Sequence, residues 1–153
     1  MKYFTVVLVL ACVAVGAASA QPARPDFGGK WVLDPAKSEM PPFLQRADMT
    51  VRHQDPKLVV SERSISERGT AQGNYNYTTD GVTSKAVERG TTYETTGQWE
   101  GSVIVIRQKI YGELNVETAE RWSLSADGTL LTIDRSRKDA KGTTTRKLVY
   151  VKQ

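Results

Sequence analysis

Short runs rich in Val, Ile, Thr and Tyr recur along this chain from residue 30 onward, and glycines interrupt them mostly 9 to 16 positions apart. That spacing suits a meander of paired strands better than crossovers needing helices, so it predicts consecutive strands joined by tight turns in an antiparallel meander. Candidate strands fall at 30–33, 48–53, 57–65, 74–79, 82–88, 92–99, 103–110, 116–124, 130–137 and 143–152. Asp80-Gly81 and Asp127-Gly128 are the clearest hairpin signals, because both residue types tolerate the positive φ such turns require, and Glu100-Gly101 marks a third.

Alternation within the runs says how the strands are used. Trp122 and Leu124 share one face while Arg121 and Ser123 share the other, and Leu148 and Tyr150 oppose Lys147. Each strand therefore has one wet face. The run Val103-Ile104-Val105-Ile106 is apolar on both faces and is expected to be the least exposed. A long one-sided sheet must fold over as a sandwich or close on itself, and closure also removes aggregation-prone edges. The expected fold is all-β, an up-and-down antiparallel barrel of about 8–10 strands. Residues 35–47 are too proline-rich to pair as a strand, yet they carry Met40, Phe43 and Leu44. Those side chains either pack back on the body or form a lid at a barrel mouth.

The first 20 residues read as an export signal. Lys2 supplies a positive start, residues 4–17 are uncharged and apolar, and Ala18-Ser19-Ala20 offers a cleavage site before Gln21. The apolar run is too short to span a hydrocarbon core of about 30 Å comfortably. Lipid attachment at Cys12 is the alternative, at the cost of an unusually short leader. Cleavage predicts a periplasmic or secreted protein in three parts: leader 1–20, an extended segment 21–27, and one barrel domain over 28–153. Cys12, the sole cysteine, leaves with the leader, so the mature chain has no disulfide. The formal charge is +4 with both signs interspersed, a pattern for solubility more than for nucleic acid.

Asp26-Phe27-Gly28-Gly29-Lys30-Trp31, followed by Val32-Leu33-Asp34-Pro35-Ala36-Lys37-Ser38, resembles the opening of a bacterial lipocalin-like (calycin-type) family of exported β-barrel domains. The resemblance continues through Tyr77-Thr78-Thr79-Asp80-Gly81, Trp99-Glu100-Gly101 and the stretch from Glu120 to Leu130, and so covers nearly all of the mature chain. It implies a closed barrel whose Gly29-x-Trp31 tryptophan plugs one end under a late-strand arginine, with Arg121, Arg135, Arg137 and Arg146 as candidates and Arg121 named first. The external helix of ligand-carrying lipocalins is missing from the pattern.

Catalysis finds no support in the residues. His53 is the single histidine and reads as surface or turn chemistry near a strand end. No Gly-x-Ser-x-Gly or Ser-x-x-Lys occurs, and one histidine without cysteines cannot make a zinc site. Neither an enzyme, a metal nor a cofactor is expected. Arg135, Arg137, Lys138, Lys141, Arg146 and Lys147 cluster late in the chain and read as the solvated faces of two strands. Nucleic acid is not the expected partner; envelope lipid, polysaccharide or protein suits that patch better. The expected function is non-catalytic binding of a small hydrophobic or amphipathic ligand by a monomeric barrel. Tyr77, Trp99, Ile104, Trp122 and Tyr150 would line the interior, with Met40, Phe43 and Leu44 at the mouth. The alternative is an envelope protein-binding module or inhibitor whose barrel is filled by its own side chains.

Overall fold

The protein is described by a computed structural model covering residues 24–112 and 115–153, so the leader assigned to residues 1–20 lies outside the described residues. Ten strands follow in order. They are β1 (Gly29–Leu33), β2 (Leu44–Gln54), β3 (Lys57–Ser66), β4 (Gly69–Thr78), β5 (Asp80–Glu88), β6 (Thr91–Glu100), β7 (Val103–Tyr111), β8 (Val116–Leu124), β9 (Leu130–Asp139) and β10 (Gly142–Lys152). They form one antiparallel sheet in the order β4-β3-β2-β1-β10-β9-β8-β7-β6-β5, curled into a nearly closed up-and-down barrel. All ten sequence-predicted strands are present. β2 begins earlier than expected, at Leu44, because Leu44 still pairs with Ser66 across a bulge before the regular register resumes at Arg46.

Asp80-Gly81 does not make the hairpin its composition advertises. β4 and β5 follow each other with only Thr79 between them, yet β5 pairs with β6 alone. Thr79 is the reason. Its amide donates to the Pro56 carbonyl at 2.9 Å, its hydroxyl donates to Asp55, and its side chain is buried. Asp80 Oδ1 then accepts from the Val82 amide at 3.0 Å, and Gly81 turns with φ at +80°. The chain is tied to the β2–β3 turn and swings away, so Asp-Gly marks a seam instead of a reversal. The seam is pinched where β6 passes the end of β4. A Cβ on Gly97 would overlap the Thr78 carbonyl oxygen. Asp127-Gly128 and Glu100-Gly101 do connect consecutive paired strands, β8 to β9 and β6 to β7.

One end of the barrel is a solid aromatic floor. Phe27 and Trp31 are both fully buried, and the Trp31 indole N–H donates to the Phe27 carbonyl at 3.0 Å. The Phe27 ring lies 5.9 Å from His53, 6.0 Å from Trp99 and 6.4 Å from Trp122. His53 is therefore a floor residue, correcting its surface assignment: its side chain is 5% exposed and Nδ1 accepts the Phe27 amide at 3.3 Å. The cation over Trp31 is Lys152, 5.3 Å from the ring, and not Arg121. Arg121 points to the outer face of β8, where it pairs with Glu100 at 2.6 Å beside Arg107 at 3.1 Å. Those bonds, Arg121's above Arg107's, hold the Glu100 carboxyl down to about 2. On the same face Val105 is 1% exposed, which leaves β7 buried on both sides at Ile104-Val105-Ile106 as its composition predicts.

Asp55 ties the floor to the seam. It accepts from Thr79, from the Trp99 indole N–H at 2.8 Å and from Arg24 at 2.7 Å. These bonds, Thr79's first and Trp99's second, hold its carboxyl below the usual 3.8. A carboxyl depressed by folding contributes stability above its unfolded pKa and loses it as pH falls through the folded one. Asp55→Ala is therefore expected to lower the thermal midpoint at neutral pH. The gap to the unmodified protein should shrink well below pH 3.8, read by circular-dichroism melts across that range.

Candidate functional site

Above the floor the barrel encloses a cavity of about 410 Å³. Strand parity decides what faces it. On β9 the buried Leu131 and Ile133 put Arg135 and Arg137 on the same inward face, and on β10 Leu148 and Tyr150 do the same for Arg146. On β8, Trp122 brings Glu120 with it. Met49, Val60, Ile106, Ile110 and Ile133 supply the apolar wall, and Tyr75 and Tyr77 stack 6.0 Å apart with ring planes 2° from parallel.

The cavity is thus aliphatic and aromatic, with a charged band across it. Arg135 Nε sits 2.7 Å from Glu120 Oε1 without being aligned for a hydrogen bond, while the other Glu120 oxygen accepts the Trp122 indole N–H at 2.8 Å. Burial opposes the Arg135 charge, but Glu120 and then Glu62 more than offset it and hold the proton more tightly than usual. Glu62 faces the same space with its carboxyl pushed up by burial, against the attraction of Arg135. Burial, reinforced by the carboxylates, also raises the Tyr77 and Tyr150 phenols, so both remain neutral hydrogen-bond donors at physiological pH.

Of the interior residues expected from sequence, Tyr77, Trp122 and Tyr150 line the cavity. Ile104 is fully buried in the core, and Trp99 packs against that core with its indole N–H on Asp55. Met40 and Leu44 pack against the core from the β1–β2 connection, Phe43 is 51% exposed, and Pro41 is the residue of that connection that reaches the cavity. The connection is pinned along β10. Asp34 and Glu39 amides donate to the Val149 and Lys147 carbonyls at 2.8 Å, and Ser38 Oγ accepts the Val149 amide at 2.9 Å.

The late basic patch divides. Lys138, Lys141, Lys147 and Arg137 are exposed, Arg137 also lining the cavity, while Arg135 and Arg146 are half-buried along its wall, correcting the reading of those two as solvated faces. Sequence reasoning also missed Glu62 and Glu120. Among the described residues no group of three or more His, Cys, Asp or Glu is placed to hold a metal ion.

Fold and cavity together define a lipocalin-like antiparallel barrel with an internal chamber. No protein-family model matches the sequence, and no curated protein matches it significantly. Solved structures do match. The zebrafish ileal bile acid-binding protein, in complex with cholic acid, aligns at TM-score 0.52 and 14% identity over 83% of this chain and 98% of that one. A secretory abundant heat soluble protein of Ramazzottius varieornatus aligns at TM-score 0.54 and 10% identity, over 82% and 94% of the two chains. Secretory abundant heat soluble protein 4 of the same organism aligns at 0.55 and 14%, over 86% and 97%. At these identities the likeness is one of fold.

Proposed function

We propose that this protein is an exported, monomeric carrier that binds a small amphipathic molecule inside its barrel and performs no chemistry on it. The observation that carries this reading is the cavity of about 410 Å³, lined by Pro41 among other residues and lying above the aromatic floor. Pockets that bury small ligands run from about 300 to 1,000 Å³ and combine an apolar lining with a few placed polar groups. A bile acid-binding protein of the same fold, crystallised with cholic acid, supports the reading. The apolar wall would hold the body of the ligand and the charged band its head.

Native mass spectrometry of the protein purified from cells that make it, before and after solvent extraction, tests this. A discrete mass lost on extraction is expected. A bare-chain mass, together with no uptake of a neutral apolar dye, would sink the carrier reading. Trp122 also gives an internal reporter, since it lines the cavity while Trp31 and Trp99 belong to the floor. Ligand binding is expected to change tryptophan fluorescence in the unmodified protein and in Trp99→Phe, and to leave Trp122→Phe nearly unchanged.

A second reading rests on β5. Every residue of this edge strand is exposed, Val82 at 64% and Val87 at 65%, and its outer edge pairs with nothing described. Such an edge can accept a strand from a partner protein. Failure of the dye and extraction experiments would bring this reading forward.

A further inference from the structure

Within the chamber, hydrogen-bonding capacity is split by chemistry. Glu62 can only accept while ionised, and no hydrogen bond reaches it from any described residue. Glu62 is half-buried at the cavity wall, and a carboxylate drawn partly out of water favours a partner that donates to it. Arg146 is the mirror case. It can only donate, it lines the same chamber, and it forms no ion pair with any described residue. It is also the direct cross-strand partner of Arg135, and like charges opposite one another destabilise a sheet unless an anion lies between them. Arg137, on the same wall, reaches only its own strand's Asp139, at 3.4 Å.

These groups line one cavity. Arg135 pairs with Glu120 at 2.7 Å, and Glu62 lines the same cavity as both. Arg146 sits one strand over at the same level. Glu120 is taken up by Arg135 and so supplies no counter-charge to Arg146, and Arg135, paired with Glu120, does not satisfy Glu62. A plain fatty acid would answer the arginines and leave Glu62 facing a second carboxylate. A simple alcohol or amine would answer Glu62 and leave the arginines bare.

We infer that the chamber takes an amphiphile whose polar head carries an anionic group and, next to it, a hydrogen-bond donor such as a hydroxyl or ammonium. The acid lies against Arg146 and Arg137, and the donor lies on Glu62. This deepens the carrier reading and rests on it. Head chemistry, more than tail length, then sets specificity, because apolar contacts discriminate weakly while an unpaired buried polar group is costly.

The test is displacement of neutral Nile red from the purified full chain by lauric acid, lauryl alcohol and β-hydroxylauric acid. The hydroxy acid is expected to bind at least about tenfold tighter than either single-function probe, the effect of one charge-assisted hydrogen bond. Glu62→Met is expected to bring the hydroxy acid to the level of lauric acid, and Arg146→Met to bring it to the level of the alcohol. The probe series on the unmodified protein decides the matter even if a variant folds poorly. Lauric acid binding as tightly as its hydroxy counterpart would overturn the dual-head inference and leave the carrier reading intact. Nile red that never enters, or that no probe displaces, would overturn both.

Discussion

Gly97→Val is expected to destabilise the protein by about 3 kcal/mol, the upper end of the overpacking range, read as a lower urea midpoint with little change in slope. The cause is local and rigid. A Cβ at Gly97 meets the Thr78 carbonyl oxygen, which is backbone, and Thr78 is held in place by Thr79's bonds to Asp55 and Pro56. Neither side can give way without parting β4 from β6, which are in contact without a hydrogen-bonded ladder between them. Gly73→Ala is the matched control. Its added Cβ would meet only the ring of Tyr75, a side chain that can rotate toward the cavity. A much smaller loss is expected there, and equal losses in the two variants would refute the pinch at the seam.

Trp31→Ala is expected to cost about 3–5 kcal/mol, the usual range for deleting a large aromatic from a core. Three losses coincide: a fully buried indole, the N–H bond to the Phe27 carbonyl, and with it the anchor holding Phe27 over the floor. Lys152→Met removes only the cation above the ring and should cost no more than about 0.5–1 kcal/mol, as for exposed cation–π pairs. Chemical denaturation of both variants separates plug from cover. A Trp31→Ala loss below that of Lys152→Met would mean the floor does not depend on the indole.

Strand existence was legible because it rests on period-two alternation and turn residues, both local properties of the chain. The barrel followed from the one-sidedness of those strands. The Asp80-Gly81 error has the same root. Asp-Gly states that the backbone can turn, and only Asp55 and Pro56, over 20 residues upstream, decide that it turns outward. Lys152 is not among the four arginine candidates for the Trp31 cover, because Trp31's neighbours across β1 are a matter of register, which composition does not reveal. The site is more instructive. The parity that put Leu148 and Tyr150 inside also put Arg146 inside, and Trp122 likewise implied Glu120. Assigning a charged residue to solvent by type overlooks its place on an inward face, which alternation makes readable. Glu62 could be reached the same way, two positions beyond the buried Leu58 and Val60 pair. That Glu120 and Arg135 would pair while Glu62 faced the same space was beyond the sequence, because Glu62, Glu120 and Arg135 come from β3, β8 and β9.

The sheet order also has a kinetic meaning. Every strand pairing is between sequence neighbours except β1 with β10, and the one neighbouring pair left unmade is β4 with β5. Two local meanders, β1–β4 and β5–β10, can therefore zip independently, each with little loop-closure entropy to overcome. The barrel exists only when they dock through β1 and β10, whose direct register spans just Trp31, Val32 and Leu33. The pinned β1–β2 connection lengthens that short joint through Ser38 and Val149, 111 residues apart in the chain. Ser38 and Glu39 thus belong to the step that turns two ribbons into one vessel, and they would fasten late in folding.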